Sequence, residues 1–254
     1  MRLRVLGCYG AELLGYKSTA FLINDHLLID AGNVNSLGGV DEISKIRHLV
    51  LSHIHLDHIK ALPFIAELLA EGGRGIEVFG TEETIGFLKQ HIFNGSVWPD
   101  LSRLPTSDNP AVRYSTMREG GTVVVGGLSV KAIPVNHTVP TTGFLISDGL
   151  ASMLYSGDTG TTGRIWSEAN NAQNLKALMV EVSYPNRLKD RAVITKHLTP
   201  HLLTEELKKA GLKKETWIGV YHLKPPFVDE IRKEICGLRM DNLILLEDGD
   251  MFEI

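Results

Sequence analysis

Cysteine is the scarcest chemistry in this chain: Cys8 and Cys236 are the only two among 254 residues. Two thiols cannot build a disulfide framework or a thiolate metal cluster, so any bound metal must sit among imidazoles and carboxylates. No apolar run approaches the ~18 residues of a membrane span. The segment Met1-Arg2-Leu3-Arg4-Val5-Leu6-Gly7 has neither a long apolar stretch nor a small-residue cleavage site. No signal peptide is therefore expected, and a cytoplasmic location is. A basic excess is missing as well. With 26 Lys+Arg against 30 Asp+Glu, the formal net charge is −4, which argues against general affinity for nucleic acid or acidic membranes. Repeats and low-complexity tracts are also absent. What the chain does have is an apolar fraction of 43%, enough for a sizeable core, and ten histidines.

Apolar periodicity and turn residues predict strands over residues 3–6, 19–30 (a pair turning at Asn24-Asp25-His26), 47–52, 75–80, 122–125, 128–135, 142–147, 151–156, 177–182, 216–221 and 242–246. Helices are expected over 63–70, over 81–91 behind a Thr81 cap, over 199–211 with Thr199 as cap and Pro200 in the first turn, and over 226–236. Residues 93–115 hold Gly95, Pro99, Pro105 and Pro110 and read as a long loop or lid. Runs of strands in both halves, each interrupted by helices, suggest an α/β fold of two mixed sheets with helices outside.

The densest chemistry is His53-Ile54-His55-Leu56-Asp57-His58, directly after the predicted strand 47–52. Three imidazoles and a carboxylate packed this closely are costly to bury unless something positive binds them. Their spacing lets neighbouring side chains serve two ions: His53 and His55 one, Asp57 and His58 the other. His137, Asp158 and His222 each follow a predicted strand. Singly, each is readable as a capped strand end or an Asx turn. Sharing one strand-end position makes them jointly persuasive, because rigid scaffolds place chemistry on such loops. His53, His55 and His137 then form one set, Asp57, His58 and His222 the second, and Asp158 bridges. Such ligands suit two divalent ions, Zn best, with Mn or Fe as alternatives. Two ions ~3.5–4 Å apart would share a hydroxide and clamp an in-line displacement, with Asp57 serving catalysis as well as binding.

This series, His-x-His-x-Asp-His with a later His, Asp and His, resembles the metallo-β-lactamase superfamily from Leu28-Ile29-Asp30-Ala31-Gly32 to His222. The resemblance implies an αββα sandwich, a single domain over residues 1–254, a dinuclear site at the edge between the sheets, and Asp30 supporting the ligand loop from behind.

Two further residues bear on the reaction. An alkoxide leaves poorly and benefits from a general acid, and a His beside a carboxylate keeps its proton nearer neutral pH. His197 as donor with Glu181 as its orienter fits that need; His201, one helical turn on, is the alternative donor. The pair resembles phosphodiesterase branches of the superfamily. His197-Leu198-Thr199 matches ribonuclease Z. The fuller match is to class II cyclic-nucleotide phosphodiesterases, through His-x-His-Leu-Asp-His with Leu56, Gly157-Asp158-Thr159-Gly160, Glu181-Val182-Ser183-Tyr184, and His197-Leu198-Thr199-Pro200 followed by Leu203. Ile59-Lys60-Ala61-Leu62-Pro63-Phe64 departs from that family's pattern, and the chain is shorter than eukaryotic members.

The expected activity is hydrolysis of a 3′,5′-cyclic nucleotide, cyclic AMP before cyclic GMP, to the 5′-monophosphate by a hydroxide bridging two metals. Phe93, Trp98 and Tyr114 are candidates to stack on the base, and Asn136 to hold a ribose or phosphate oxygen. The expected partner is this small molecule, with no membrane and no stable nucleic acid, and a homodimer is a compatible assembly. The competing readings are a ribonuclease Z-like tRNA 3′ endonuclease, a hydrolase of lactones, thioesters or β-lactams, and last a non-enzymatic metal-binding scaffold.

Overall fold

A computed structural model describes residues 1–254. The strands are β1 (Arg2–Gly7), β2 (Ala20–Ile23), β3 (Leu27–Ile29), β4 (His48–Val50), β5 (Ile76–Gly80), β6 (Val112–Thr116), β7 (Thr122–Val125), β8 (Leu128–Pro134), β9 (Thr142–Ser147), β10 (Ser152–Tyr155), β11 (Leu175–Glu181), β12 (Trp217–Tyr221), β13 (Leu243–Leu245) and β14 (Met251–Glu253). They form two seven-stranded sheets, ordered β14-β1-β2-β3-β4-β5-β6 and β13-β12-β11-β10-β9-β8-β7. Both are mixed. β3 to β6 run parallel, as do β10 to β13, while β1, β2, β7, β8 and β9 pair antiparallel.

Period-two alternation explains how the layers assemble. Phe21 and Ile23 on β2 join the core between the sheets, while Ala20 and Leu22 join the core on the other face. That outer face is covered by the helix Leu62–Glu71 through Leu62, Ile65, Ala66 and Leu69. The inner core contains Phe21, Tyr155 and Tyr221, whose rings meet at centroid distances of 5.2–5.7 Å. β10 is buried along its whole length, as a central strand covered on both faces must be. Thr81 and Thr199 cap their helices as expected, each accepting from the backbone N–H three residues on. No helix is long and apolar enough to cross a membrane.

Seven elements lie outside the sequence expectation: β6, β14, the short helices Val40–Ile43 and Leu56–Ile59, the 3-10 turn Asn186–Leu188, and the helices Arg164–Asn171 and Lys189–Thr195. β6 falls inside the stretch read as a lid. Val112 and the half-buried Tyr114 and Ser115 sit on the free edge of the first sheet, so residues 112–116 are strand rather than loop. β14 is a three-residue edge strand whose partners come from the opposite end of the chain.

The topology sets up the site. β8 and β10 run in the same direction, because each is antiparallel to β9, and β11 and β12 run parallel to β10. The C-terminal ends of these four strands therefore share one edge of the second sheet. The first sheet meets it there: Thr142 N–H donates to the Ser52 carbonyl at 2.9 Å, and His222 N–H to the Cys8 carbonyl at 2.6 Å.

Candidate metal centre

The loops at that shared edge bring all seven expected ligands together. His53, His55, His137 and Asp158 have ligand atoms within 4.8 Å of one another, and so do Asp57, His58 and His222. Asp158 lies between the sets. Its Oδ2 is 3.2 Å from His222 Nε2, 3.4 Å from His58 Nε2, 3.7 Å from His53 Nε2 and 4.0 Å from His137 Nε2. Its Oδ1 is buried with no hydrogen-bond partner. A buried carboxylate with one oxygen ringed by imidazole nitrogens and the other without a donor fits a cation. The donor set of five imidazoles and two carboxylates, without thiolate, fits two divalent ions. Cys8 is elsewhere, bonded to the Leu246 carbonyl and Asp248.

The ring orientations follow from what lies behind each histidine. His58 Nδ1–H donates to Asp30 at 2.7 Å, His137 Nδ1–H to the Lys196 carbonyl at 3.0 Å, and His222 Nδ1–H to Ser183 Oγ at 2.8 Å. His53 Nδ1 faces Ser52 Oγ at 3.0 Å. The hydrogen-bond network thus assigns the Nδ1–H tautomer to all four, leaving Nε2 lone pairs for metal. His55 instead turns Nδ1 inward, 3.1 Å from His53 Nε2 and 3.3 Å from His137 Nε2. Burial pushes His53 down and pulls His137 to about 4, which favours the neutral, ligating form. His58 differs: burial pulls it down, but the Asp158 and Asp30 carboxylates more than reverse this. Burial likewise raises Asp158, and the imidazoles of His222 and His58 more than reverse that.

Asp30 supports the ligand loop from behind. Completely buried, it accepts from Ser52 N–H at 2.8 Å, Ser52 Oγ–H at 2.7 Å, Tyr155 Oη–H at 2.6 Å and His58. It adopts φ 54, and Lys196 and His222 have φ 53 and 68. Such left-handed conformations cost non-glycine residues on the order of 1–3 kcal/mol each, and all three fall at the site. Lys196 binds His137 twice, since its Nζ also donates to the His137 carbonyl at 2.8 Å.

Gly32 shows how tightly the loop is held. A Cβ there would meet the Asp57 carbonyl oxygen at 1.9 Å and the Thr19 carbonyl oxygen at 2.6 Å. Gly32→Ala should displace Asp57 and His58, lower metal content from two equivalents, and reduce stability by about 1–3 kcal/mol, the usual cost of overpacking. Elemental analysis with thermal unfolding checks this; an alanine variant with full metal and unchanged melting would refute it.

A cavity of about 260 Å³ opens over the ligands, lined by His55, Asp57, His137, Asp158, His222 and, beyond them, His197, Tyr184 and Lys224. His197 Nδ1–H donates to Glu181 Oε1 at 2.7 Å. Burial pulls His197 down, but the charge and hydrogen bond of Glu181 more than offset it, so the imidazole titrates above its ordinary value. Glu181 is held by Thr159 N–H at 3.1 Å and Ser183 Oγ–H at 3.0 Å. The hydroxyl of Ser183 thereby joins the acid pair to the ligand His222. His201 is exposed, with its backbone N–H on Asn186.

The expected substrate contacts are placed differently. Phe93 is buried in the outer core of the first sheet and offers no face. Trp98 packs on Phe64 at 5.2 Å, and Tyr114, on β6, lies under Lys89. The proline-rich stretch turns its aromatics inward because the helix layer is the nearest apolar surface, so none lines the metal cavity. Asn136 spends its side-chain N–H on the Thr161 carbonyl at 3.0 Å and ties down the loop after Asp158. Sequence reasoning missed Ser52, Tyr155, Lys196 and Lys224. Of these only Ser52, directly before the first ligand, carried a local signal.

Comparison with known proteins is consistent with this geometry. Residues 27–220 match the beta-lactamase superfamily domain. A probable 3′,5′-cyclic-nucleotide phosphodiesterase of Yersinia pestis is 30% identical, over 81% of this chain and 67% of its own length. Among solved structures, unliganded yeast PDE1 superposes with a TM-score of 0.81 at 18% identity, covering 99% of both chains. The short form of human tRNase Z superposes with a TM-score of 0.71 at 17% identity, covering 100% of this chain and 99% of that one.

Proposed function

The chain belongs to the beta-lactamase superfamily, and from that premise we propose that it is a two-metal phosphodiesterase that hydrolyses a 3′,5′-cyclic nucleotide, cyclic AMP before cyclic GMP, to the 5′-monophosphate. The observation that carries this reading is the Glu181–His197 pair, 2.7 Å apart, in the wall of the cavity that contains the metal ligands. A thioester expels a good leaving group and has no need of such a donor; a ribose 3′-oxygen leaves poorly and is helped by one. The cavity, about 260 Å³, lies just below the ~300–1,000 Å³ usual for small-molecule sites and suits one mononucleotide better than a nucleic-acid body.

His53, His55 and His137 would hold one ion, Asp57, His58 and His222 the other, with Asp158 facing both. Zn²⁺ suits these ligands best. Two such cations, when bound, supply Lewis acidity toward the phosphate oxygens and acidify water. The chain's own part is positional. Asp30, Ser183 and the Lys196 carbonyl fix the rings that present Nε2. Glu181 fixes His197 with Nδ1 protonated and turned away, so Nε2–H is the proton available to the departing 3′-oxygen.

A turnover screen of Zn²⁺-loaded protein across cyclic mononucleotides, cyclic dinucleotides, an aryl phosphodiester, a lactone and precursor tRNA tests the reading. The expected result is 5′-monophosphate from a cyclic mononucleotide. Turnover confined to precursor tRNA or to the lactone would replace it with the corresponding rival.

A further inference from the structure

Lys224 is the single lysine or arginine lining the metal cavity, and its carbon chain leaves the backbone two residues after the ligand His222. Its ammonium makes one hydrogen bond, to the Gly10 carbonyl at 3.1 Å, and lies 5.9 Å from the Tyr184 ring centroid. No carboxylate pairs with it, and the buried Glu181 is occupied by His197, Ser183 and Thr159. An ammonium carries three donors, so two remain beside the cavity. Partial burial of a cation without an anion is unfavourable, and an anionic ligand in the cavity removes that cost. Tyr184 favours the arrangement, since an aromatic face attracts a cation without occupying its donors.

We propose that Lys224 is an anion clamp that donates to a non-bridging phosphate oxygen of the substrate and of the product monophosphate. The inference rests on the phosphodiesterase reading for the identity of the ligand and adds how this chain selects anionic phosphoesters over neutral esters. Bound metal ions would attract any oxygen donor; Lys224 adds a positive charge in the cavity wall outside the ligand set.

The alternative is a tether: Lys224 would only hold the Gly10 loop against the site. Calorimetric titration of inorganic phosphate into Zn²⁺-loaded wild type, Lys224→Met and Lys224→Arg separates the two. The clamp predicts phosphate affinity lower by about 10-fold or more in Lys224→Met, as expected for loss of a charge-assisted hydrogen bond, with affinity restored in Lys224→Arg. Metal content and melting temperature should stay at wild-type values. Lys224→Gln is the second uncharged replacement should the methionine variant unfold. Phosphate affinity equal to wild type in the uncharged variant would overturn the clamp, as would a wild type that binds no phosphate. Wild type that binds phosphate through Lys224 yet turns over no phosphodiester would leave the clamp standing and overturn the proposed reaction.

Discussion

Asp158→Ala should lose at least one of two metal equivalents and lower kcat/KM for a phosphodiester by about 10³-fold or more, a loss matching the several kcal/mol that metal ions supply to a transition state. The reasoning is geometric. One oxygen of this carboxylate lies within 3.2–4.0 Å of four imidazole nitrogens drawn from both ligand sets, and the other has no partner at all. No other side chain at the site faces both sets. His53, His55 and His137 retain three nitrogens without it, and Asp57, His58 and His222 retain a carboxylate and two imidazoles. Partial rather than complete loss is therefore a consistent outcome, and the first set, left without any carboxylate, should suffer more. Asp158→Asn should fall between the two, since it preserves shape and removes charge. Elemental analysis after dialysis gives the count. Two equivalents retained in the alanine variant would end the bridging role.

Much of this site is legible before folding because its ligands obey a local rule, a polar residue directly after an apolar strand. His137, Asp158 and His222 each follow β8, β10 or β12, and the shared direction of those strands places them on one edge. The supports obey no such rule. Tyr155 reaches Asp30 across 125 positions, and Lys196 orients His137 with a backbone carbonyl that any residue type possesses. Nothing in the residue itself marks either one. The strands of the two sheets are apolar enough to be seen, but β6 and β14 are not. Both are edge strands, half-buried, and β14 makes its pairing with the other end of the chain. The helix Arg164–Asn171 carries one apolar stripe, Ile165, Trp166 and Ala169, but at eight residues it is shorter than the window in which a helical period is read. The stretch 93–115 shows the opposite error. Its prolines and glycine mark a loop correctly for the most part, but turn residues say nothing about which way aromatics point. Phe93 and Trp98 point into the helix layer.

His197→Ala should keep its metal while slowing hydrolysis of a cyclic nucleotide by about 10²–10⁴-fold, the range of a general acid. An aryl phosphodiester should be slowed far less, because a phenolate departs without a proton. The His197 ring lies within 4.8 Å of ligand atoms on Asp158 and His222, close enough to be a ligand itself. Two features favour the acid role. The other nitrogen is bonded to the Glu181 carboxylate, which sustains the imidazolium; the ligands His53, His137 and His222 have hydroxyl or carbonyl partners, and only His58, backed by Asp30, shares a carboxylate. His197 lies above its ordinary value and His53 and His137 below; the ligand His58 also lies above, held there by the Asp158 and Asp30 carboxylates within the ligand cluster. A ligand histidine removed from the site would cost metal and slow both substrates alike. A general acid removed would leave metal intact and separate them. Comparing the two substrates on one preparation, with metal counted on the same sample, distinguishes the roles, and equal slowing on both would remove His197 as the proton donor.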